Sequence, residues 1–244
     1  GLSGLAGAGA VNLGANFLTT GNGVNTSYSG AISGSGGMTK QGAGKFSTTS
    51  LGYTGLTTIN AGELNVNGTI SGSVLINALG TLSGNSAING SLTNLGIIKS
   101  GNSPGSTIVG GNYAGGGAMA VQVQLNNSAA PVNGTTHDYL QVSGNVSGTT
   151  LINIDPVAPS NAPVATTGNG IEVVRVGGTV ASNAFALAGS VVQGGYEFLL
   201  QYLPDYAGTT DGFFLQSTAL QEMSVNAAML SAGRATNSAC GRDD

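Results

Sequence analysis

The chain has 244 residues, 43 of them glycine, and only 7% of its residues carry a charge. The glycine content is more than twice the usual share of roughly 7%, and charged residues fall far below their usual share of about 25%. The glycines have no Gly-X-Y period, which excludes collagen, and no apolar run approaches the roughly 20 residues of a membrane helix. No segment before residue 215 keeps apolar residues at helical spacing, so a helical bundle is excluded as well.

The formal net charge is −4, and only six residues are Lys or Arg. Binding of polyphosphates needs several basic side chains on one face, because counterion release supplies the affinity. Nucleic acids and anionic membrane surfaces are therefore not expected partners. The lone cysteine, Cys240, cannot form an internal disulfide. The chain opens without the basic region of a signal peptide, so we expect a cytosolic protein or, in better agreement with the composition, a piece of a longer exported one.

Between residues 20 and 110 the chain alternates short apolar segments with turn residues. Each segment holds one or two apolar positions in period-2 alternation and ends at Gly or Asn, which tolerate positive φ and turn the chain at low cost. This pattern predicts very short strands. Asn60, Asn77 and Asn94, each followed closely by a glycine, recur at 17-residue intervals.

Strands this short bury a core only if they stack. If three strands form one turn of a coil, equivalent strands lie about 4.8 Å apart and their side chains stack inside. The expected period is roughly 18 to 25 residues, close to the spacing observed. We therefore predict an all-β fold, a right-handed parallel β-helix, with Ile59 and residues 64–66 facing inward. Like charges stacked at this distance repel, which explains why Ser, Thr and Asn replace charged residues on the outer face.

After residue 110 the predicted strands are longer, and most of the aromatic residues lie there. The prolines of residues 155–163 predict a loop, and Leu220, Met223, Ala227 and Leu230 predict one face of a short helix from Ala219. We predict that aromatics at alternating positions pack rather than bind a partner. The predicted organisation is β-helix coils over residues 1–109, a wider C-terminal capping module over residues 110–218, and a linker or tail over residues 219–244.

Several segments resemble one family of exported proteins. The ordered series is specific, although any one segment alone is not. Residues 42–46 and 53–68 are similar to the passenger repeats of bacterial autotransporters, which use type V secretion. The later blocks are similar to the last coils and the C-terminal, autochaperone-type module of such passengers; they are residues 99–113, 137–144, 196–200 and 213–217.

This resemblance implies a passenger displayed on the bacterial cell surface or secreted, after export across the outer membrane by its own C-terminal β-barrel translocator, which this chain does not include. It also implies that the last coils nucleate folding. The residues that the resemblance assigns to the folding module are Gly111, Asn112, Tyr113, Asp138, Leu140, Val142, Tyr196, Phe198, Leu200 and Phe214.

The expected role is that of a monomeric, virulence-type adhesin or host-receptor ligand, with a host cell-surface protein or a matrix component as its partner. The alternative is a purely structural stalk that presents another effector. A glycan-processing β-helix enzyme is a less favoured third interpretation, because the chain offers few acids and they are spread along it: Glu63, Asp138, Asp155, Glu172 and Glu197.

The lone histidine, His137, precedes Asp138 and could belong to a serine triad, but serines are too common here to support one. The simpler interpretation is that Asp138 closes a turn before the strand at Tyr139. No Asp-rich loop offers the six to eight oxygen ligands of calcium, and no cluster of Cys and His offers a zinc site. We therefore predict no catalytic residues, no cofactor and no metal.

Overall fold

The computed structural model describes residues 4–101, 104–125, 133–157 and 165–220. All regular structure in this part of the chain is β-strand, and it contains no helix that could cross a membrane. The strands before residue 90 are β1 (Ala10–Asn12), β2 (Leu18–Thr20), β3 (Thr26–Tyr28), β4 (Ala31–Gly34), β5 (Met38–Lys40), β6 (Lys45–Thr48), β7 (Gly52–Tyr53), β8 (Thr57–Val66), β9 (Gly68–Ile70), β10 (Val74–Gly84) and β11 (Ser86–Ile88). The later strands are β12 (Leu92–Asn94), β13 (Ile97–Ser100), β14 (Ser106–Val109), β15 (Tyr113–Gly115), β16 (Ala118–Val123), β17 (Tyr139–Val142), β18 (Val146–Ser147), β19 (Thr150–Pro156), β20 (Ile171–Val176), β21 (Phe185–Leu187), β22 (Val191–Gln193), β23 (Tyr196–Leu203) and β24 (Asp211–Ala219).

Strands of successive coils pair in parallel and in register. Side chains at equivalent inward-facing positions of successive coils form a column. One such column begins in β6 and β8 and continues through β10, β13, β16 and β19. All of its members are buried: Phe46, Leu64, Leu82, Ile98, Met119 and Ile152. The prediction of a parallel β-helix is confirmed, and Ile59 and residues 64–66 are buried as expected. An apolar core therefore runs along the whole stack.

Asparagine and serine form ladders between coils, as the low charge of the sequence indicated. The side-chain nitrogen of Asn77 donates to the side-chain oxygen of Asn60 at 2.7 Å, one coil below. Lys40 departs from this pattern, because its charged side chain is almost fully buried. Its ammonium group donates to the carbonyl oxygens of Gln41, Gly42 and Ala61 at 2.9 to 3.1 Å, and burial lowers the pKa of Lys40.

Glycines stack on glycines where the coils turn. A Cβ atom on Gly117 would lie 2.2 Å from the carbonyl oxygen of Gly96, and one on Gly96 would lie 2.3 Å from that of Gly80. No side chain fits at such a distance without movement of the backbone. The high glycine content therefore follows in part from the close approach of successive corners.

Strand pairing changes from parallel to antiparallel at the C-terminal end of the stack. Strand β20 pairs in parallel with β17 on one side but antiparallel with β24 on the other. Strands β22, β23 and β24 then form an antiparallel sheet, hereafter the cap. The predicted wider module therefore ends in antiparallel strands, which alternation along the chain did not indicate.

The chain between β19 and β20 begins later than the prolines predicted. The loop predicted from Asp155 was wrong at its start, because β19 continues to Pro156, which lies opposite Val123 of β16. Proline is tolerated there because it is the last residue of its strand. The helix predicted from Ala219 falls almost entirely on residues outside the described part of the chain.

Candidate functional site

The residues assigned to the folding module by resemblance lie in two places, the last parallel coils and the cap. Tyr113 starts β15 and is buried, and its hydroxyl lies 2.6 Å from the Thr150 hydroxyl. Asn94, one coil below, donates from its side chain to the Tyr113 hydroxyl at 3.2 Å. Burial raises the pKa of Tyr113. Tyr113 thus joins three successive coils through one buried hydroxyl.

Gly111 and Asn112 turn the chain just before β15. A Cβ atom on Gly111 would lie 2.9 Å from the carbonyl of Gly90, so the corner is built on glycine. The side-chain oxygen of Asn112 accepts from the backbone N–H of Asn145 at 2.9 Å, and that of Asn145 accepts from Thr179 at 2.9 Å. These asparagines carry a ladder of hydrogen bonds from one corner to the next.

Asp138 links separate segments of the stack. It is only 3% exposed, and its two carboxylate oxygens accept from the backbone N–H groups of Gly105 at 2.9 Å and Gln122 at 2.8 Å. Burial raises the pKa of Asp138 to about 6, although both hydrogen bonds act to lower it. The hydrogen bonds of the Asp138 carboxylate therefore tie two distant stretches of backbone together.

His137 is fully buried beside this link. Its Nε2 lies 2.6 Å from the carbonyl oxygen of Glu172, so Nε2 carries a proton and donates it. Its Nδ1 lies 3.1 Å from the hydroxyl of Thr136 and accepts from it. Burial lowers the pKa of His137. The imidazole is therefore neutral; its Nε2 holds the backbone of β20, and its Nδ1 is bonded to the neighbouring Thr136.

Leu140 and Val142 of β17 are fully buried. They lie in register between Thr107 and Val109 of β14 on one side and Val174 and Val176 of β20 on the other. Val142 therefore has an apolar partner on both sides, whereas Leu140 lies between Thr107 and Val174; both residues belong to the buried interior of the stack.

A partly buried ion pair within β20 is connected to the cap through Tyr206, which lies in the loop between β23 and β24. The guanidinium of Arg175 donates to both oxygens of Glu172, at 2.9 and 2.7 Å. Asn133 donates to the same carboxylate at 2.6 Å, and so does the hydroxyl of Tyr206. The guanidinium also lies 5.9 Å from the ring centre of Tyr139 and 5.6 Å from that of Tyr206. We call these five residues the Glu172 network.

The apolar pattern of the sequence does not predict the Glu172 network. Residues three apart in a regular strand point to opposite faces, so Glu172 and Arg175 would not be expected to meet. The pairing of β20 with β24 shifts register between Glu172 and Val174, as in a β-bulge. The extra residue brings both side chains to one side. Two opposite charges within an otherwise apolar strand were the available signal.

Aromatic side chains connect the last parallel coil to the cap. Tyr113 stacks on Phe185 with ring centres 5.8 Å apart, and Phe185 meets the edge of Phe213 at 4.9 Å. Tyr202 of β23 lies 5.2 Å from Phe213. Among the predicted residues, Phe198 and Phe214 are buried, and the others pack half-buried against the core; these are Tyr196 and Leu200. The structure thus shows the aromatics engaged in packing.

Three of the five acids, which the sequence analysis treated as dispersed, share one groove of about 280 Å³. Glu63, Asp138 and Asp155 line it, and Lys45 and Lys99 line it with them. Coiling places side by side residues that lie one turn apart in the sequence. Within the described part of the chain, no group of three or more His, Cys, Asp or Glu side chains is arranged to hold a metal ion.

A parallel β-helix closed by an antiparallel cap is the fold that the resemblance to autotransporter passengers implies, and comparison with known families supports this class. Residues 90–200 match the family model of the type 1 autochaperone domain. The chain is therefore part of an autotransporter passenger and contains an autochaperone-type module. This family implies export to the cell surface or secretion.

Two similar proteins come from Escherichia coli (strain K12). The uncharacterized protein YuaQ is 30% identical over 179 residues, which cover 69% of this chain and 12% of that protein. The uncharacterized protein YdeU is 33% identical over 102 residues, covering 41% of this chain and 20% of that protein. The chain thus spans a small fraction of the length of these relatives.

Proposed function

We propose that the C-terminal module nucleates folding of the passenger during export, and that the preceding coils then add to it in order. The observation that carries this proposal is the joining of the last coils to the cap. The aromatic contacts, the Glu172 network and Asp138 all connect segments that are distant in the sequence. In a stack whose coils stabilise their neighbours, a nucleus formed at one end can propagate coil by coil.

The least stable end is the N-terminal one. Strands β1 to β7 have two to four residues each, and Val11 and Leu18 are only half-buried. From Phe46 onward the inward column is fully buried, so the weak part is confined to the coils that precede Phe46. If the C-terminal end emerges first during export, the stable end would form while the weak coils are still unfolded.

Two buried phenylalanines provide a matched test. Phe198 lies in the cap and Phe46 in an early coil, and both are fully buried, so each Phe→Ala change should cost about 3 to 5 kcal/mol of unfolding free energy. We expect Phe198→Ala to slow refolding of the chain about tenfold, because a residue in the nucleus affects the folding rate. Phe46→Ala should mainly accelerate unfolding. Stopped-flow refolding and surface display of the intact passenger measure both effects.

The assignment is reversed if Phe46→Ala slows refolding as much as Phe198→Ala does. It is also refuted if limited proteolysis of the wild-type chain leaves the N-terminal coils as the resistant core. Loss of surface display with Phe198→Ala but not with Phe46→Ala, at similar loss of stability, supports the proposal.

We also propose that the passenger acts as an adhesin or host-receptor ligand. In support, large aliphatic side chains stay exposed on the outer face of the long sheet: Leu79 is 78% exposed, Leu151 48% and Ile97 37%. Ile97 and Leu151 lie one coil to either side of Ala118. Ile97 pairs with Thr81 on the preceding coil, and Leu79 lies two residues before Thr81. Contiguous exposed apolar side chains are typical of interaction surfaces.

Binding of the labelled chain to cultured host cells tests this role. We expect Leu79→Asn to reduce binding, whereas Val192→Asn, an exposed position on the cap, should not. No binding by the wild-type chain, or equal loss with both variants, would favour the structural stalk instead.

A further inference from the structure

The groove that holds Glu63 and Asp155 crosses several coils. Six neighbouring strands contribute to it, and strands lie about 4.8 Å apart, so it extends about 24 Å along the axis of the coil. The lining residues are Lys45, Glu63, Asn65, Ser83, Lys99, Ser100, Gly101, Ala120, Gln122, Asp138 and Asp155. The groove therefore suits an elongated ligand that runs parallel to the stack.

Hydrogen bonds fix the N-terminal part of the groove in place. Lys45 pairs with Glu63 at 2.8 Å, and Ser83 donates to the same carboxylate at 2.6 Å. Asn65 in turn donates to Ser83 at 2.8 Å. Partial burial acts to raise the pKa of Glu63, but the bonds from Lys45 and Ser83 outweigh it and lower that pKa. Glu63 is therefore an ionised, oriented acceptor.

The C-terminal part is less constrained. Asp155 is exposed, and the side-chain amide of Gln122 lies 3.4 Å from it. Lys99 is exposed between the two parts, and its ammonium group forms no ion pair with any residue that the structure describes. Asp138 contributes to the wall but is already occupied by two backbone N–H groups. Lys99, Gln122 and Asp155 are thus available to a ligand.

The chemistry of the lining favours a ligand without strong charge. Two ammonium groups and three carboxyl groups alternate with amides and hydroxyls, so a polyanion meets the carboxylates and a polycation meets the lysines. A sugar hydroxyl both donates and accepts hydrogen bonds and can satisfy either kind of group.

We propose that this groove binds a neutral oligosaccharide that lies along the coil axis, with hydroxyl groups bonded to Glu63, Lys99, Gln122 and Asp155. The inference rests on the proposed adhesin role and gives that role a ligand class. It involves no bond cleavage.

The test uses the full 244-residue chain and neutral tetrasaccharide probes of glucose, mannose and N-acetylglucosamine. A heparin-derived tetrasaccharide and tetralysine serve as the charged comparisons. We expect at least one neutral probe to bind with a Kd below about 1 mM and to shift the NMR signals of the Gln122 side-chain amide. If no neutral probe binds, or if a charged probe binds more tightly than all of them, the proposal is overturned.

Two alanines on β16 provide the matched variants. Ala120 lines the groove, whereas Ala118 lies two residues earlier on the same face and does not line it. We expect Ala120→Tyr to weaken sugar binding at least about tenfold and Ala118→Tyr to change it less than about twofold. Equal effects of the two variants would refute the site, provided that both keep the wild-type circular dichroism spectrum.

The cell-binding assay separates this inference from the adhesin role. Sugar binding without cell binding supports the groove and argues against the role. Cell binding without sugar binding overturns the groove and leaves the role to another surface.

Discussion

Replacing Glu172 with Gln tests how much the link between β20 and the cap contributes to stability. The carboxylate accepts from Arg175 twice, from Asn133 and from Tyr206. A Gln amide offers one oxygen and turns its NH₂ group toward donors. Breaking a buried ion pair costs about 3 to 5 kcal/mol, and the side chain of Arg175 is 36% exposed, so water should keep the loss near the lower end. A loss of about 3 kcal/mol corresponds to a fall in Tm of about 6 to 12 °C.

Urea unfolding of the full chain, followed by circular dichroism, measures this loss. Glu197→Gln is the matched control, because Glu197 lies on β23 and its side chain forms no hydrogen bond or ion pair with the residues that the structure describes. The control should change the unfolding free energy by less than about 0.5 kcal/mol. A double-mutant cycle with Arg175→Met should give a coupling above about 1 kcal/mol. If Glu172→Gln proves as mild as the control, the network does not stabilise the junction.

Two further changes test other parts of the stack. The pKa of Asp138 is raised in the folded chain from 3.8 to about 6, so its contribution is most favourable below about pH 4 and is lost as the pH rises through 6. We therefore expect the stability of the wild type, measured by urea unfolding relative to Asp138→Asn, to fall between pH 4 and pH 7; a constant difference would contradict this. Gly117→Ala should cost about 1 to 3 kcal/mol because the added Cβ meets the carbonyl of Gly96. Gly189→Ala, where nothing lies within 4 Å, should leave the Tm unchanged, and equal Tm values for the two variants would refute the argument.

Local features of the sequence were sufficient to predict the β-helix. Period-2 alternation, closely spaced Gly and Asn, and the 17-residue interval between Asn60 and Asn77 all act within one or two coils. The structure places those two side chains 2.7 Å apart. The parallel pairing follows from the same spacing, since equivalent residues of successive coils lie side by side.

Features that depend on unequal coil lengths could not be predicted. Lys45 pairs with Glu63 in register after 18 residues, whereas Gln122 pairs with Asp155 after 33. Without those lengths, the acids of the groove could not be placed together. The Glu172 network depends on a bulge, and the antiparallel cap on a reversal of chain direction after β21. Neither has a strong signal in the apolar pattern.

The short strands at the C-terminal end affect assembly between molecules. A solenoid that stopped at a full coil would present long rows of unpaired backbone N–H and C=O groups, on which another chain could continue the sheet. Here the larger parallel sheet ends in β18 and β21, and the sheet that includes the cap ends in β22. These three strands have only two or three residues each. Short edge strands are a common protection against edge-to-edge aggregation. The same strands that close the core should therefore keep concentrated passengers from polymerising end to end.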